Sequence, residues 1–350
     1  MPSDPIPVAV VTESGGAHLE AYFAALRDTI ECSEVVIYDA SGDSFGKAKE
    51  ILGEKLSAVF KDLDRLLSVA DPAMALVSVE AVHAPPLIRR LLEADCHILT
   101  EKPACIRHED LAPLVELAEK SHLHLFYALS NRGLPAVAKI RELITDGVIG
   151  GLYGAEVHFV ADQTRLKSES YQKSWFADRA RAGGGHLAWL GIHWLDLLLH
   201  LTGRRVVEVG GFAGIVGGQA LRAEDSAALV MRFDNGSFGT MTSGYYLDQG
   251  YHSQIRLWGS GGWIEYTEHL GKVTATPLRW YVNADSTAGV HRFANTADPR
   301  GYTPWVQTCL RACQGEGPAP ITGREALLVI EILYNFYEAA QSGTFRKIPT

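Results

Sequence analysis

Short runs of apolar, mostly β-branched residues alternate with longer segments of helical periodicity over the first third of the chain. The apolar runs cover residues 8–11, 34–39, 74–79, 97–102 and 124–129. Between them, segments such as Ala84–Glu93 place apolar residues at the spacing of a helix face. This alternation predicts parallel strands joined by right-handed helical crossovers, and so an α/β domain with a doubly wound, Rossmann-type sheet.

The pattern changes after about residue 130. Helices are predicted over 135–146 and 185–202, and strands separated by glycine turns over 206–276. Asn235-Gly236 between two alternating runs is typical of a hairpin. A last helix is predicted over Gly323–Ser342, ended by Gly343. We therefore expect two domains, 1–130 and 131–350, the second an α+β domain with a mostly antiparallel open sheet.

Composition excludes several classes of protein. The 350 residues include 41 acidic and 32 basic side chains, giving a net charge of −9, which argues against nucleic acid as a partner. No apolar run approaches the ~20 residues of a membrane span, so no membrane partner is expected. The five cysteines form no Cys-x-x-Cys pair, and the first residues lack the features of a signal peptide. We expect a cytoplasmic protein.

The turn after the first strand reads Thr12-Glu13-Ser14-Gly15-Gly16-Ala17-His18. A dinucleotide fold places Gly-x-Gly-x-x-Gly here, so that backbone N–H groups approach the pyrophosphate. Thr12 and Ser14 stand in place of two glycines, and their hydroxyls could donate to a phosphate. Gly15 and Gly16 could still form the tight turn. The alternative is an ordinary turn between a strand and a helix.

Asp39 ends the second predicted strand, 23 residues after Gly16. A carboxylate about 20 residues after the glycine turn holds the ribose 2′-hydroxyl in NAD-binding domains and repels the 2′-phosphate of NADP. Asp39 therefore predicts NAD as the cofactor rather than NADP. The alternative is an aspartate that caps the turn before Ser41-Gly42-Asp43.

Glu101-Lys102-Pro103 ends the fifth predicted strand and opens a series of motifs that extends over essentially the whole chain. Later members are Leu129-Ser130-Asn131-Arg132, Gly183-Gly184-Gly185, Gly191-Ile192-His193 with Asp196, and Thr322 with Glu325 and Ala326. Together they resemble the oxidoreductase family named for glucose–fructose oxidoreductase, inositol dehydrogenase and MocA (Gfo/Idh/MocA).

The resemblance implies an NAD-dependent dehydrogenase or reductase that acts on a hydroxyl of a sugar, glycoside or cyclitol. It implies that Lys102 and His193 share the acid–base work on that hydroxyl. It also implies a second domain that binds substrate and forms a homodimer or homotetramer. The cofactor contacts expected from the resemblance and the turn together are Thr12, Ser14, Gly15, Gly16, Asp39, Glu80, His83, Glu101, Lys102 and Asn131.

The predicted helix 185–202 carries His186, Trp189, His193, Asp196 and His200 at steps of three and four residues, which places them on one helix face. The resemblance puts an aspartate at the position of Trp189. Its replacement removes a common member of the acid–base group. A tryptophan offers a flat apolar platform for a sugar ring instead, and His186 could take over the polar role.

A loop over 163–181 is rich in arginine, lysine and aromatic residues. It is interpreted either as a substrate lid, basic enough to meet a carboxylate or oxidised sugar, or as a solvated surface loop. The candidate substrate contacts are Arg165, His186, Trp189, His193 and Tyr245.

Three alternatives stay open at this point. No metal is expected, but His158, His186 and His193, with His252, could converge on an ion. A lyase or glycosidase-like enzyme of the same fold would use tightly bound NAD, or that metal, without net redox change. A non-catalytic sugar or cofactor sensor is the third, because the aspartate is lost at Trp189.

Overall fold

The computed structural model describes residues 3–269, 276–285, 287–294 and 301–349. Residues 270–275, at the end of the stretch predicted as strands and turns, lie outside that description. By its contacts the chain divides into two compact units. The first consists of Met1–Ser130 with Arg300–Leu328, and the second of Asn131–Pro299 with Val329–Thr350. The contact division thus adds a late segment of the chain to the first unit.

The first unit is built on a six-stranded parallel sheet. Its strands are β1 (Ile6–Thr12), β2 (Cys32–Asp39), β3 (Leu56–Phe60), β4 (Met74–Ser78), β5 (His97–Thr100) and β6 (Leu125–Tyr127). They lie in the order β3-β2-β1-β4-β5-β6, so the winding reverses between β1 and β4. Both of these strands are apolar without alternation because helices cover the two faces of the sheet. The doubly wound sheet is confirmed, with β3 as a strand that the apolar pattern did not reveal.

Six helices of the described residues lie wholly within the first unit. They are α1 (Leu19–Asp28), α2 (Phe45–Leu52), α3 (Leu63–Ala70), α4 (Ala84–Glu93), α5 (His108–Lys120) and, from the late segment, α10 (Tyr302–Cys313). The structure places α4 at its predicted bounds, and prolines in its first turn suit the helix start. Helix α10 packs on α1. The indole N–H of Trp305 in α10 donates to the carbonyl of Tyr127 over 3.2 Å.

A nine-stranded sheet forms the second unit. Its strands are β7 (Leu152–Asp162), β8 (Val206–Gly214), β9 (Ser226–Phe233), β10 (Phe238–Leu247), β11 (Tyr251–Gly259), β12 (Gly262–His269), β13 (Leu278–Val282), β14 (His291–Phe293) and β15 (Arg346–Lys347). Their order is β14-β13-β12-β11-β7-β10-β9-β8-β15, and only β7 and β10 among them pair in parallel. The Asn235-Gly236 turn joins β9 to β10, with a φ of 85° at Gly236. The mostly antiparallel sheet is confirmed.

The remaining helices are α6 (Pro135–Thr145), α7 (Glu169–Lys173), α8 (Arg179–Ala182), α9 (Ile192–Thr202) and α11 (Gly323–Ser342). The bounds of α11 are those predicted. The helix predicted over 185–202 is found from His186 to Thr202, with Leu187–Gly191 as a π turn that continues directly into α9. A π turn holds more residues than an α turn, so it shifts the positions before it relative to those on α9.

Asp196, which the sequence placed on the same helix face as His193, forms a buried ion pair with Arg132. Its carboxylate is 0% exposed and accepts from the guanidinium of Arg132, with Nη2 2.6 Å from Oδ1. Arg132 precedes α6, so the ion pair joins α9 to the start of that helix. A buried pair of this kind is strongly destabilising to break, because removing one partner leaves an uncompensated charge.

The two faces of the second sheet differ in their partners. Val157, Phe159 and Leu229 are on the face that is buried, where β7 contacts α9. The strand register puts Phe212, Val230, Phe238 and Trp258 together on the opposite face. Phe212 is 82% exposed there and Phe238 53%. Apolar side chains therefore form an exposed row across neighbouring strands. None of the helices that the structure describes is long and apolar enough to cross a bilayer.

Candidate active site

The turn between β1 and α1 has the tight geometry that the sequence predicts. Gly15 has a φ of 82°, which favours glycine. A Cβ atom on Gly16 would lie 2.2 Å from Thr12 Oγ1 and 2.6 Å from the carbonyl oxygen of Ser78. No side chain fits at Gly16, because the backbone passes directly over the ends of β1 and β4.

Thr12 belongs to the framework of this turn. Its hydroxyl is 1% exposed and donates to the carbonyl of Ser78 over 2.8 Å. This bond joins β1 to β4 at the point where the winding reverses, which is where sheets of this type bind their ligands. In this structure the Thr12 proton is therefore directed to the sheet rather than to a phosphate, whereas Ser14 is exposed on the turn.

A cavity of about 550 Å³ lies beside the turn and extends to the start of α2. Residues that line it include Ser14, Gly15, Gly16, Leu19, Ser44 and Lys47. Backbone N–H groups at the start of a helix such as α1 favour an anion. The glycine cradle and the cavity together fit the phosphates of a dinucleotide.

Asp39 holds the turn between β2 and α2. Its Oδ1 accepts from the N–H and hydroxyl of Ser41 at 2.9 and 2.6 Å, and its Oδ2 from those of Ser44 at 2.9 and 2.8 Å. Burial by itself raises the pKa of Asp39, but these hydrogen bonds outweigh burial and lower the pKa. The side chain is 0% exposed. It thus caps the turn as in the alternative interpretation, and its contact with a ribose stays a prediction.

Glu13 extends towards the loop after β4. Its Oε1 accepts from the N–H of Glu80 over 2.6 Å, and its Oε2 lies 2.9 Å from His83 Nδ1. Within the described part of the chain, Glu13, Glu80 and His83 bring possible metal ligands within 4.8 Å of one another. Hydrogen bonds within the trio account for this closeness, so Glu80 and His83 are linked to the glycine turn through Glu13.

Glu101 is buried at the end of β5 and is held by three donors. Tyr22 OH donates to its Oε1 over 2.7 Å, His18 Nδ1 lies 2.7 Å from the same oxygen, and the N–H of Lys102 donates to Oε2 over 3.1 Å. Burial raises the pKa of Glu101, but the bond and charge of His18, the charge of Lys102 and the bond from Tyr22 outweigh it and bring the pKa to about 2. Glu101 is therefore a fixed negative charge.

Lys102 is 2% exposed and precedes a cis peptide bond to Pro103. Burial lowers the pKa of its ammonium to about 8, and the charge of Glu101 opposes part of that shift. An amine with such a pKa exchanges a proton near neutral pH, as a general acid or base must. The role in acid–base chemistry that the resemblance implies for Lys102 stays a prediction.

Tyr302 completes this group and was missed by the sequence analysis. Its ring lies 4.5 Å from the ring of Tyr22, edge on, and 5.4 Å from that of His18. It therefore orders the two residues that hold Glu101. No local pattern could reveal this, because Tyr302 is about 200 residues away in the sequence.

In the second unit, the glycine triplet allows close packing. A Cβ on Gly185 would lie 1.9 Å from the carbonyl oxygen of Glu224, and one on Gly184 would lie 2.2 Å from Tyr337 OH. Glu224 is 8% exposed and accepts from the N–H of Gly185 over 2.6 Å, from the N–H of Leu187 over 3.1 Å and from Tyr337 OH over 2.7 Å. Burial raises the pKa of Glu224 despite these bonds. Glu224 and Tyr337, also missed from the sequence, position the start of the π turn.

His186 lies inside the second unit and is 0% exposed. Its Nδ1 is 2.7 Å from Ser243 Oγ, and its ring meets that of Tyr245 edge on at 4.4 Å. Burial, and then the charge of Arg165, lower its pKa to about 3, so the imidazole is neutral. Its Nε2 is buried without a hydrogen-bond partner among the described residues. His186 therefore supports Tyr245 from inside the fold.

Trp189 is 7% exposed, and its environment is aromatic. The ring of Phe176 lies 4.2 Å away and that of Trp175 meets it edge on at 5.3 Å. Both neighbours come from the basic loop, so Trp189 anchors that loop to the π turn. The open platform expected of Trp189 is covered in this structure by Phe176.

Arg165 and Tyr245 lie close together, and their contact with a substrate stays a prediction. The guanidinium donates to Tyr251 OH over 2.9 Å and stands 5.8 Å from the ring centroid of Tyr245 and 5.7 Å from that of Tyr251. Tyr245 OH lies 2.9 Å from Tyr171 OH. The loop over 163–181 thereby places the half-buried guanidinium of Arg165 beside the phenol rings of Tyr245 and Tyr251.

The three histidines of the metal alternative are not gathered into one site. The register pairs His158 with Gln254 and Thr242, which places it on the sheet face opposite to Phe159. The ring of His186 stacks on Phe159. Accordingly, His158, His186 and His193 do not form a set of possible ligands within the described residues. His193 itself lies on α9 in the second unit, and Asn131 at the beginning of that unit, half-buried.

Models of protein families match both parts of the chain. Residues 9–129 match an oxidoreductase family with an NAD-binding Rossmann fold, and residues 137–265 match the GFO/IDH/MocA C-terminal domain. The chain belongs to the GFO/IDH/MocA family. The predicted resemblance and the expectation of an NAD-dependent oxidoreductase are thereby confirmed.

Named relatives are distant in sequence. The chain is 21% identical to D-glucoside 3-dehydrogenase of Escherichia coli over 98% of each protein. It is 24% identical to myo-inositol 2-dehydrogenase of Thermotoga maritima over 65% of this chain and 66% of that protein. An oxidoreductase domain protein from Kribbella flavida has the same fold, with a TM-score of 0.84, 20% identity and coverage of 99% and 100%. A levoglucosan dehydrogenase solved with NADH and L-sorbose also gives a TM-score of 0.84, at 17% identity and the same coverage.

Replacement of Tyr337 by phenylalanine tests the support of the π turn. We expect Y337F to lose about 1.5–3 kcal/mol of unfolding free energy, because the buried Glu224 carboxyl loses a hydrogen bond. Urea denaturation measures the loss, and Y153F, at a 68% exposed tyrosine, is the matched control. Equal stability of Y337F and Y153F would contradict the role given to Glu224.

Proposed function

We propose that this chain transfers hydride between NAD and a hydroxyl-bearing carbon of a sugar, glycoside or cyclitol. The observation that supports it most is Lys102, buried at the end of β5 with a pKa of about 8 beside the ionised Glu101. Oxidation of an alcohol needs a base for the hydroxyl proton, and a lysine becomes such a base when its pKa is lowered.

The proposed reaction balances with this one base. A carbinol loses its O–H proton to the neutral Nζ of Lys102 and its C–H hydride to the cofactor, and a carbonyl group results. A bound nicotinamide supplies the hydride acceptor in this direction and the donor in the reverse direction. Glu101 then stabilises the ammonium that forms on Lys102. The Gly15–Gly16 turn and the cavity beside it would hold the phosphates.

The substrate class rests on the relatives and on the second unit. Named relatives act on a glucoside and on inositol, and related structures hold L-sorbose or UDP-GlcNAcA with NADH. We propose a sugar or polyol for this chain as well. His193 is proposed as a second acid–base residue on the resemblance to the family.

NAD is the proposed cofactor rather than NADP. Asp39 is ionised at the end of β2, and Asp43 and Glu20 line the cavity near it. These negative charges would repel a 2′-phosphate, although Lys47 contributes one positive charge to the same cavity.

We also propose that a second copy of this chain covers the exposed face of the nine-stranded sheet. Phe212, Val230, Phe238 and Trp258 form a row on that face. Contiguous exposed apolar side chains of this kind mark protein–protein interfaces in soluble proteins.

If Lys102 is the base, the rates of alcohol oxidation and carbonyl reduction depend on pH through its pKa. Alcohol oxidation by the wild-type protein should rise with pH through an apparent pKa near 8, because only the neutral amine accepts the proton. Carbonyl reduction should fall through the same value. Stopped-flow measurement of single-turnover nicotinamide absorbance, with a sugar that the protein oxidises, gives the profile. In E101Q the midpoint should move to lower pH, because the charge that raises the pKa of Lys102 is gone.

Two variants control that experiment. K102M should lose activity about 10²–10⁴-fold, because the substitution removes the acid–base group. K120M, at an exposed lysine of α5, should keep the wild-type profile. Nearly unchanged turnover in K102M would refute the proposed base. Substrate conversion without net NADH would favour the redox-neutral alternative.

Calorimetric titration tests the cofactor. Protein stripped of co-purified nucleotide should bind NADH at least 10-fold more tightly than NADPH, because the phosphate meets the negative charges described above. The substitutions D43N and E20Q, separately and together, should reduce the difference in affinity between NADH and NADPH. Tighter binding of NADPH by the wild-type protein would overturn the assignment.

Light scattering after gel filtration tests the interface. The wild-type protein should elute as a homodimer or homotetramer, and F238K with W258K should dissociate it, because two charges would enter the apolar row. E169K, on an exposed residue of α7, is the control. A monomeric wild-type protein would exclude this use of the sheet face.

A further inference from the structure

The guanidinium of Arg165 is half-buried and forms no ion pair with the acidic residues that the structure describes. It donates to the phenol of Tyr251 and stands beside two tyrosine rings. Burial lowers the pKa of Arg165, but the bond to Tyr251 and the nearby tyrosines outweigh burial and raise it. Asp162, at the end of β7, is bonded to the N–H and hydroxyl of Thr164; burial raises its pKa, and these bonds and then the charge of Arg165 lower it.

Two other cations of the same loop have partners of a different kind. Lys173 pairs with Glu169 on the surface, and Arg179 lies 5.0 Å from the ring centroid of Tyr337. Arg222, which the loop contacts, pairs with Asp178. Arg165 differs from Lys173 and Arg222, because it is half-buried and its hydrogen-bond partner is a phenol and not a carboxylate. Partly buried arginines without an ion-pair partner are suited to an anionic ligand.

The surroundings of Arg165 have the composition of a ligand site. Ala161, Leu166 and the ring of Tyr245 form an apolar floor, with Tyr171 and Tyr251 packed against it. The hydroxyls of Tyr171 and Tyr245 lie 2.9 Å apart and bond to each other, which leaves one O–H donor of the pair beside the guanidinium. An apolar floor with a few convergent polar groups is typical of small-molecule sites. His186 beneath the floor is neutral, so Arg165 is the cation of this group.

We propose that the substrate is an anionic sugar, and that Arg165 binds its carboxylate or phosphate with the help of the Tyr171–Tyr245 hydroxyls. This inference rests on the proposed function for the sugar and adds the acidic group. The planar guanidinium presents two parallel N–H donors to an oxyanion. Tyr251 holds the guanidinium in place through its hydroxyl and acts as a positioning residue.

Equilibrium binding separates this inference from the redox proposal. Calorimetry on the full-length protein with NADH present compares D-glucose, D-glucuronate and D-glucose 6-phosphate, and likewise D-galactose, D-galacturonate and D-galactose 6-phosphate. At least one acid should bind about 10- to 100-fold more tightly than its neutral parent, because hydrogen bonds to a charged group contribute that much. Preference for the uronate or for the phosphate identifies the source of the anion. Equal binding of acids and parents, or no binding of any, would overturn the inference.

Substitutions locate the effect at Arg165. R165Q should remove the preference for the acidic sugar and leave the affinity for the neutral parent within about threefold of the wild-type value. R165K should retain part of the preference for the acidic sugar. Y251F should also reduce the affinity for the acidic sugar, by a smaller factor than R165Q does. K173Q is the matched control and should bind like the wild type. Equal losses for acid and parent in R165Q, with Y251F unaffected, would make Arg165 a packing residue and refute the proposal.

A further comparison distinguishes the two proposals. If acids bind through Arg165 while K102M matches the wild type in turnover, the redox proposal fails and the anion site stands. If neutral and acidic sugars are oxidised at the same kcat/KM by the wild-type protein and by R165Q, the redox proposal stands and the anion site is refuted.

Discussion

Burying an ammonium group costs several kcal/mol unless a counter-charge and hydrogen bonds accompany it. At the end of β5, Lys102 meets this constraint beside Glu101, which is itself buried. Glu101 stays ionised because Tyr22 and His18 bond to it, and these two are ordered by the ring of Tyr302. The pKa of one lysine therefore depends on α1, on β5 and on the late helix α10. This dependence gives a physical reason for residues 300–328 to belong to the first unit.

The second unit also buries an ionisable group, the carboxyl group of Glu224. Glu224 is buried, and two backbone N–H groups at the start of the π turn and Tyr337 bond to it. The glycine triplet is required because Cβ atoms would collide with Glu224 and Tyr337. The π turn continues into α9, and both His186 and Trp189 are buried. At the position where the resemblance implied an aspartate, Trp189 packs on Trp175 and Phe176 of the basic loop.

Arg165 differs from the other buried or half-buried charges of the site. Lys102, Asp39 and Asp196 each have a protein group that balances or bonds them. Arg165 donates to a phenol and forms no ion pair with the described carboxylates. The paired charges serve the fold or a proton transfer, and we assign the charge of Arg165 to ligand binding.

Elements set by local pattern could be predicted from the sequence alone. Continuous apolar runs gave β1 and β4, since both faces of a parallel sheet are covered, and Asn235-Gly236 gave the β9–β10 hairpin because the turn needs a positive φ. Glycine after the last periodic residue gave the end of α11. The capped turn at Asp39, predicted as the alternative to a ribose contact, was also readable from the sequence, because the partners of Asp39 are Ser41 and Ser44, at most five residues away. Family motifs added Lys102, whose neighbour Glu101 is adjacent in the chain.

Contacts between distant segments were decided only by the tertiary structure. Tyr302 on His18, Glu224 on Gly185, Tyr337 on Glu224 and Arg132 on Asp196 join residues from 39 to about 280 positions apart. The π turn at Leu187–Gly191 was not predicted either, because helical periodicity does not distinguish a π turn from an α turn. Sequence patterns report which face of an element is apolar. Burial, which lowers the pKa of Lys102 and surrounds Arg165 with phenols, arises only when the elements pack together.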